Sequence, residues 1–544
     1  MPLSPLPFRR PSRRLGCIGS LLLSLLVGLT EGGSPGGRAA AAAELLEIRL
    51  DGLAIPIPLD QLDAFSLGEP PPPSPAGDEL TVWLGLLQPR SRQDLRILLR
   101  TPLLQDRSFG RQLLDSWAGG QMLEEVGGLL TTADGGSTTT LLQATLRQLL
   151  QQGRRVTAIE LLRSLPPARL TLQLDGLLAL AERWRQQLRQ QQLALQGLQR
   201  LELRPRRSRP LAEAVADVLR PRQLDLAVAH RRESLPLEIW TARPDRSSAG
   251  AGRPWLLLMP GLGGTAEQLG WLAGTLADRG WSAVVLQHPG SDGAALRAAL
   301  EGQRPPPGAE ALATRLDDVA AVLVAQRQGR LGIGGDGVVL VGHSLGGLTA
   351  LLAAGLEPVA GLEGRCRQAL ERLPINNPSR LLQCQLASTG LPRTPHRPTD
   401  LRGVVVLNGF GSLLWPGRGL ESLPLPVLMA GGSLDLVTPP LEEQLGLFLQ
   451  AGDPRSRLVM VDGGSHFSPV RVAEEEEVLF RLGSELVGVE PASVQRLLLR
   501  LTSEFLQTLE QPLLFPSQRL SQEGVTAYVL DPAAARRWRR LVGR

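Results

Sequence analysis

Lysine is missing from this chain: all 58 basic residues among the 544 are arginine. Arginine and lysine differ at bidentate sites but seldom across a whole surface, so the absence is a compositional bias rather than a functional signal. Cysteine is almost as scarce, with Cys17, Cys366 and Cys384 the full set. No C-x-x-C or H-E-x-x-H spacing occurs, and the five histidines (His230, His288, His343, His396, His466) are scattered. Structural zinc is therefore not expected, and no metal site is read from the chain. Aromatics make up only 3 % of the chain, which leaves leucine to fill the core. Beyond the first 43 residues no run is apolar and long enough to span a bilayer, which needs about 20 residues.

What is present is enough for two to four domains, at about 150 residues each. The formal charge is +5, but residues 1–43 hold Arg9, Arg10, Arg13, Arg14 and Arg38 against Glu31 alone. The remainder carries about +1, not the footprint of a phosphate-binding surface, so no nucleic-acid partner is expected. Arg200, Arg204, Arg206, Arg207 and Arg209 cluster among prolines without aromatics and read as a solvated linker. The basic start, the apolar run Leu15–Leu29 and the small residues Ala39–Ala43 follow the order of an export signal. The expected destination is the periplasm, a thylakoid lumen or the exterior, by the Sec or Tat route, with an uncleaved membrane anchor as the alternative. In an oxidising compartment Cys366 and Cys384 are free to pair.

After residues 1–43 the pattern suggests three parts. Residues 44–203 read as a mainly helical accessory domain behind a hairpin, Leu45 to Leu59, turning at Asp51-Gly52. Leu178 to Leu198 has the spacing of one long amphipathic helix. Residues 204–515 alternate short apolar runs with helical stretches. The candidate strands are Leu224–Ala229, Leu235–Ala242, Trp255–Met259, Ser282–Leu286, Val338–Val341, Val404–Leu407, Val427–Ala430 and Leu458–Val461. Such alternation predicts a mostly parallel sheet with helices on both faces, an α/β fold. Residues 516–544 read as an arginine-rich tail.

The motif with the most chemistry is Val338-Val339-Leu340-Val341-Gly342-His343-Ser344-Leu345-Gly346-Gly347. A buried-type strand runs into G-x-S-x-G and then a helix, a turn that exposes a serine hydroxyl at a helix N-terminus. Its partners are sought downstream in the order acid, then histidine. His466 follows a strand across Asp462-Gly463-Gly464-Ser465, whereas His396 lies in a proline-rich polar stretch. Asp435 follows Val427–Ala430 through Gly431-Gly432-Ser433-Leu434, with Asp462 as its rival. The predicted catalytic set is Ser344, Asp435 and His466. Pro260-Gly261-Leu262-Gly263-Gly264, after a strand, suggests an oxyanion hole made by the N–H groups of Leu262 and Leu345. His288, in His288-Pro289-Gly290-Ser291, is left open as a substrate-binding residue. Gly332–Gly337 matches G-x-G-x-x-G but precedes a strand, so it reads as a loop and not a dinucleotide site. Residues 357–400 form a long insertion, expected to be an ordered lid over Ser344 closed by a Cys366–Cys384 disulfide.

On GHSLGG (342–347), GGSLD (431–435), GGSH (463–466) and PGLGG (260–264), residues 210–515 resemble the α/β-hydrolase superfamily. Within it the chain is similar to platelet-activating-factor acetylhydrolases and predicted dienelactone hydrolases. The full layout resembles a cyanobacterial α/β-hydrolase family with an N-terminal domain of unknown function. The resemblance implies an eight-stranded sheet, ester hydrolysis through an acyl-enzyme, and no cofactor. Its substrate would be a small-molecule or lipid ester, with peripheral membrane contact left open. Two departures stand out: Pro260 occupies a position where many relatives have histidine, and the nucleophile is serine where dienelactone hydrolases use cysteine. A peptidase or amidase on the same fold, or a retired hydrolase fold that only binds, are the alternatives.

Overall fold

A computed structural model describes residues 43–73, 79–100, 102–104, 114, 116–152, 156–207, 220–243, 252–301, 303–370, 377–393, 397–471, 489–513 and 515–542. Residues 1–42 of the expected export segment, and His396, lie outside the described residues. The chain divides into two compact units, residues 1–115 with 119–182, and residues 116–118 with 183–544. The division falls inside the helix Leu174–Gln199, not at 203/204. Ala194 and Leu198 on its C-terminal half are buried in the core of the second unit, which draws that half across.

In the first unit β1 (Leu45–Leu50) and β2 (Leu53–Pro58) form the expected hairpin. Asp51 and Gly52 at its tip take φ of 49° and 79°, the two left-handed positions of a two-residue type I′ connection. The unit is not simply helical, however. β3 (Pro102–Leu104) pairs with β5 (Val156–Thr157). β4 (Leu130–Thr132) and β6 (Arg169–Gln173) join the hairpin in a four-stranded sheet of order β2-β1-β6-β4. β6 lies parallel to β1 although it arrives more than a hundred residues later. Strands of two to five residues leave almost no periodic signal, and their pairing is long-range, so local pattern reads only the helices between them.

The second unit is built on an eleven-stranded sheet, not an eight-stranded one. All eight expected strands are in it, as β8 (Arg222–Leu226), β9 (Leu235–Trp240), β10 (Trp255–Met259), β11 (Ala283–Leu286), β12 (Val338–His343), β13 (Leu401–Leu407), β14 (Val427–Gly432) and β15 (Arg457–Val461). β7 (Arg204–Arg207), β16 (Gln518–Gln522) and β17 (Val525–Leu530) extend it past β15. The basic "linker" thus contributes an edge strand, and the expected tail is a hairpin followed by the helix Pro532–Val542. The order is β7-β16-β17-β15-β14-β13-β12-β10-β11-β9-β8. From β11 to β15 neighbours run parallel, while β9 and β17 lie antiparallel against the two ends of that block.

The inner stretches of the parallel strands are apolar because both faces are covered, and Arg402, Arg457 and His343 stand at strand ends. Trp255, Leu257 and Met259 of β10 enter one core with the helices Leu312–Arg327 and Leu345–Ala353. Leu256 and Leu258 enter the other, with Glu267–Asp278 and Pro491–Glu510. At about 25 cal/mol per Å² of apolar surface buried, these two layers are the main stabilising element of the unit. Parallel packing leaves every strand of the block with its C-terminal end on one rim, where loops can converge.

Candidate active site

β12 runs straight into Ser344, which is held at φ 53° and ψ −119° as the cap of the helix Leu345–Ala353. That conformation is costly for a residue with a side chain and persists only where its surroundings enforce it. The enforcement is visible: the Ser344 N–H donates to the Leu407 carbonyl of β13 (2.9 Å), and its own carbonyl accepts from the N–H groups of Gly347 and Leu348. A Cβ on Gly342 would strike the Gly346 carbonyl, and one on Gly346 would strike the Met259 carbonyl. The sharp turn therefore needs both glycines.

Asp435 follows β14, fully buried. Four donors replace the water it lost: the N–H groups of Val437 (2.9 Å) and Thr438 (2.7 Å) on Oδ1, and the Thr438 hydroxyl (2.6 Å) and His466 Nδ1 (2.9 Å) on Oδ2. His466 follows β15, in a loop zipped to the aspartate loop. Leu434 N–H donates to the Gly464 carbonyl (2.9 Å), and Gly463 N–H donates to Ser433 Oγ (2.8 Å). The loops approach so closely that a Cβ on Gly432 would overlap Gly464. The rival acid Asp462 makes no hydrogen bond to His466 among the described residues. Burial raises its carboxyl above the ordinary range, with Arg519 opposing.

His466 is steered from its backbone as well. His343 Nε2 donates to the His466 carbonyl (2.9 Å), and Asn408 Nδ2 donates to the same carbonyl (3.2 Å) and to that of Ser465 (2.9 Å). The rings of His343 and His466 lie 5.0 Å apart, which brings the imidazole beside the residue preceding the serine. His343 is held neutral: burial, with His466 adding to it, pushes its imidazole down to about 3. Thr438, Asn408 and His343 were not singled out by motif. The spacing D-x-x-T of Asp435 and Thr438 was the one available signal, since an aspartate commonly accepts from the N–H groups two and three residues on.

The Pro260–Gly264 turn sits against the serine, for a Cβ on Gly261 would lie 3.1 Å from Ser344 Cβ. Neither Leu262 nor Leu345 spends its N–H on the backbone hydrogen bonds of the described loops. Both remain available as donors at the start of a helix or in a turn. His288, by contrast, is 2 % exposed and joined through Nδ1 to Asp318 (2.8 Å), not to Ser344, Asp435 or His466. Gly332–Gly337 lies in the loop before β12, as read.

The insertion is ordered where described. It carries the helices Leu362–Leu370 and Ser379–Thr389, joined by a Cys366–Cys384 disulfide with Cα atoms 5.3 Å apart. It is anchored by Glu443, a fully buried carboxylate that accepts from Asn377 Nδ2 (2.8 Å) and Ser379 Oγ (3.1 Å) of the insertion. The same carboxylate accepts from the N–H groups of Gly411 (2.8 Å) and Ser412 (2.9 Å) beyond β13. Ser379 N–H also donates to the Val437 carbonyl (3.1 Å), so the insertion touches the loop that presents Asp435. Ser344 and His466 are only 8 % and 5 % exposed, so the site is nearly closed. Among the described residues no three His, Cys, Asp or Glu side chains converge as metal ligands.

A mixed sheet with helices on both faces, and a serine, an aspartate and a histidine gathered at the strand ends, define an α/β-hydrolase-like fold. Residues 42–173 match a family described as alpha/beta hydrolase of unknown function (DUF1400). Apart from residues 116–118 that match lies in the first unit, and it stops before the sheet that carries Ser344, Asp435 and His466. No curated protein matches the chain.

Proposed function

We propose that the protein is a serine hydrolase that cleaves carboxylic esters, of lipids or of small acyl compounds, through an acyl-enzyme. The observation that carries this reading is the His466–Asp435 pair at 2.9 Å, set beside a strained serine at a helix N-terminus. The aspartate holds the imidazole with Nδ1 protonated, which leaves Nε2 as the base. His466 takes the hydroxyl proton as Ser344 Oγ attacks the ester carbonyl. The tetrahedral oxyanion receives hydrogen bonds from the N–H groups of Leu262 and Leu345, each worth about 3 kcal/mol. Collapse breaks the ester C–O bond, and the alcohol leaves with the proton from His466. Water then gives a proton to the same nitrogen as it attacks the acyl-enzyme; the Ser344 Oγ–acyl bond breaks, the proton returns from His466 to Oγ, and the acid leaves. The small exposure of the serine favours slender acyl groups, in keeping with the likeness to acetylhydrolases, and the insertion serves as the roof of the acyl pocket.

The test is covalent labelling by a fluorophosphonate probe, followed by a panel of chromogenic esters and matched amides. Wild type should label and turn over esters in preference to amides. Ser344→Ala should lose both at unchanged melting temperature, with turnover down about 10⁴- to 10⁶-fold. Asp435→Asn should cost far more than Asp462→Asn; the reverse ranking would show that the acid is misassigned.

We further place the mature protein outside the cytoplasm, beginning near Glu44. In support, Glu44 and Leu45 donate to the Ala168 carbonyl (3.0 and 3.1 Å), so a chain that begins there keeps its first residues tied to β6's approach. Intact mass of the exported protein checks this, and retention of residues 1–43 would point to an anchored form.

A further inference from the structure

Arg315 lies in the helix Leu312–Arg327 at 1 % exposure, a cation in the apolar layer beneath the sheet rim. Among the described residues its hydrogen-bond acceptors are all neutral, while Asp318 and Asp292 act on it through charge alone. Nη2 donates to the Pro260 carbonyl, Nη1 to Ser291 Oγ (2.9 Å) and Nε to Thr349 Oγ1 (3.3 Å). Two of these contacts lead to the elements that carry the proposed oxyanion donors. Pro260 opens the Pro260–Gly264 turn, and that turn is pinned again where Gly263 N–H donates to the Ser291 carbonyl (2.8 Å). On the other side Thr349 Oγ1 donates to the carbonyl of Leu345 (2.8 Å), the first residue of the nucleophile helix. One planar guanidinium therefore bridges the turn of Leu262 and the helix of Leu345.

The bridge is itself braced. One turn along the same helix, Asp318 is fully buried and accepts from Arg231 through two bonds of 2.6 Å, from His288 Nδ1 (2.8 Å) and from His230 Nε2 (2.7 Å). Arg231 Nη1 also donates to the Pro289 carbonyl (2.8 Å), and Ser291 N–H donates to the His288 carbonyl (3.2 Å). The His288–Ser291 loop, which presents Ser291 to Arg315, is thus held by the carboxylate. Burial lowers the Arg315 guanidinium to about 9, so it remains a cation at neutral pH. Sequestering a cation is costly unless its partners fix it well, and this one is spent on two loops rather than on a surface.

We propose that Arg315 is the positioning residue of the oxyanion hole, setting the separation of the Leu262 and Leu345 N–H groups from behind. The proposal rests on the acyl-transfer reading of Ser344. A donor displaced by about 1 Å costs roughly 10²-fold in rate while leaving ground-state binding nearly intact. Arg315→Met should therefore lower kcat about 10²-fold with KM changed less than about threefold. A trifluoromethyl ketone, which mimics the tetrahedral adduct, should lose affinity in parallel with kcat/KM. Arg315→Lys keeps the charge but not the fork, and should recover part of the loss. Thr349→Val removes one arm of the bridge and should fall between wild type and Arg315→Met in both readouts.

The experiment measures kcat, KM and ketone affinity for wild type and these variants, with melting temperatures alongside. If Arg315→Met does not fold, Arg315→Lys and Thr349→Val decide. Variants that lose only melting temperature, with kcat and ketone affinity as in wild type, would overturn the positioning role and leave the esterase reading intact. A wild type that neither labels nor hydrolyses esters would overturn both.

Discussion

His343 shows how a single residue can tie the geometry of the candidate site to stability. Its Nε2–H steers the His466 backbone, and the cost of that position is a ring that cannot take up a proton in the fold. Unfolded, the imidazole protonates below its ordinary value of 6.5; folded, it stays neutral down to about 3. Between those limits the unfolded chain binds more protons, so stability falls as the pH drops from about 6.5 toward 3. His288 acts in the same direction, lowered to about 3 by burial first and then by Arg315. His343→Gln retains a donor for the carbonyl and removes one of the two titrations. The pH slope of unfolding free energy from pH 6 to 4.5, measured in urea, should flatten by about 1 kcal/mol per pH unit. An unchanged slope would show that the ring is not sequestered. Arg315 and Asp318 were legible in retrospect as an arginine and an aspartate at i and i+3 amid the buried apolar positions of one helix. Spacing alone did not say what lay opposite them.

Among the elements, the insertion between β12 and β13 shows what a long connection becomes when it is given partners. Its two helices are joined mid-length by a disulfide, and Glu443 holds the start of the second, with Gln383 Oε1 also accepting from the Leu413 N–H (2.8 Å). Closing a loop of this length contributes roughly 3 kcal/mol in the chain-entropy model. The Cys366→Ser/Cys384→Ser double variant should therefore melt lower and shift its preference among ester chain lengths. Probe labelling of Ser344 should persist, because the Glu443 contacts remain. Free alkylation of both thiols in protein from its native compartment would show that the pair does not form there. Strand positions, by contrast, were read well: Trp255–Met259 coincides with β10, and the other candidates differ from β8, β9 and β11–β15 mainly at their ends. Strands buried on both faces announce themselves as unbroken apolar runs.

Taken as one molecule, the second unit does not close at residue 515. β17 pairs with β15, the strand that leads to His466, and Asp462 N–H donates to the Thr526 carbonyl (2.9 Å). Tyr528 and Trp538 are each 1 % exposed. Deleting residues 516–544 should therefore expose one edge of β15, abolish cooperative melting and remove probe labelling. A soluble truncated protein with the wild-type melting temperature would show that the hairpin is dispensable. The signal was present: Glu523 and Gly524, at φ 49° and 81°, sit between two alternating runs as in a two-residue hairpin. Arginine density in the surrounding residues hid it.

By itself the sequence determined what is local. The serine turn, the glycine pairs of the two later loops, the buried strands and the order serine, aspartate, histidine all follow from small residues and apolar runs at fixed spacing. Their physical causes act over a few residues: a strained turn needs glycine beside the serine, and the inner stretch of a strand covered on both faces is apolar. Tertiary structure alone decided which segments meet. β6 beside β1, β17 beside β15, Glu443 beneath the insertion and Arg315 between two loops are encounters across tens to hundreds of residues. A buried charge is tolerated only where those encounters supply its hydrogen bonds, and no periodicity in the chain records that.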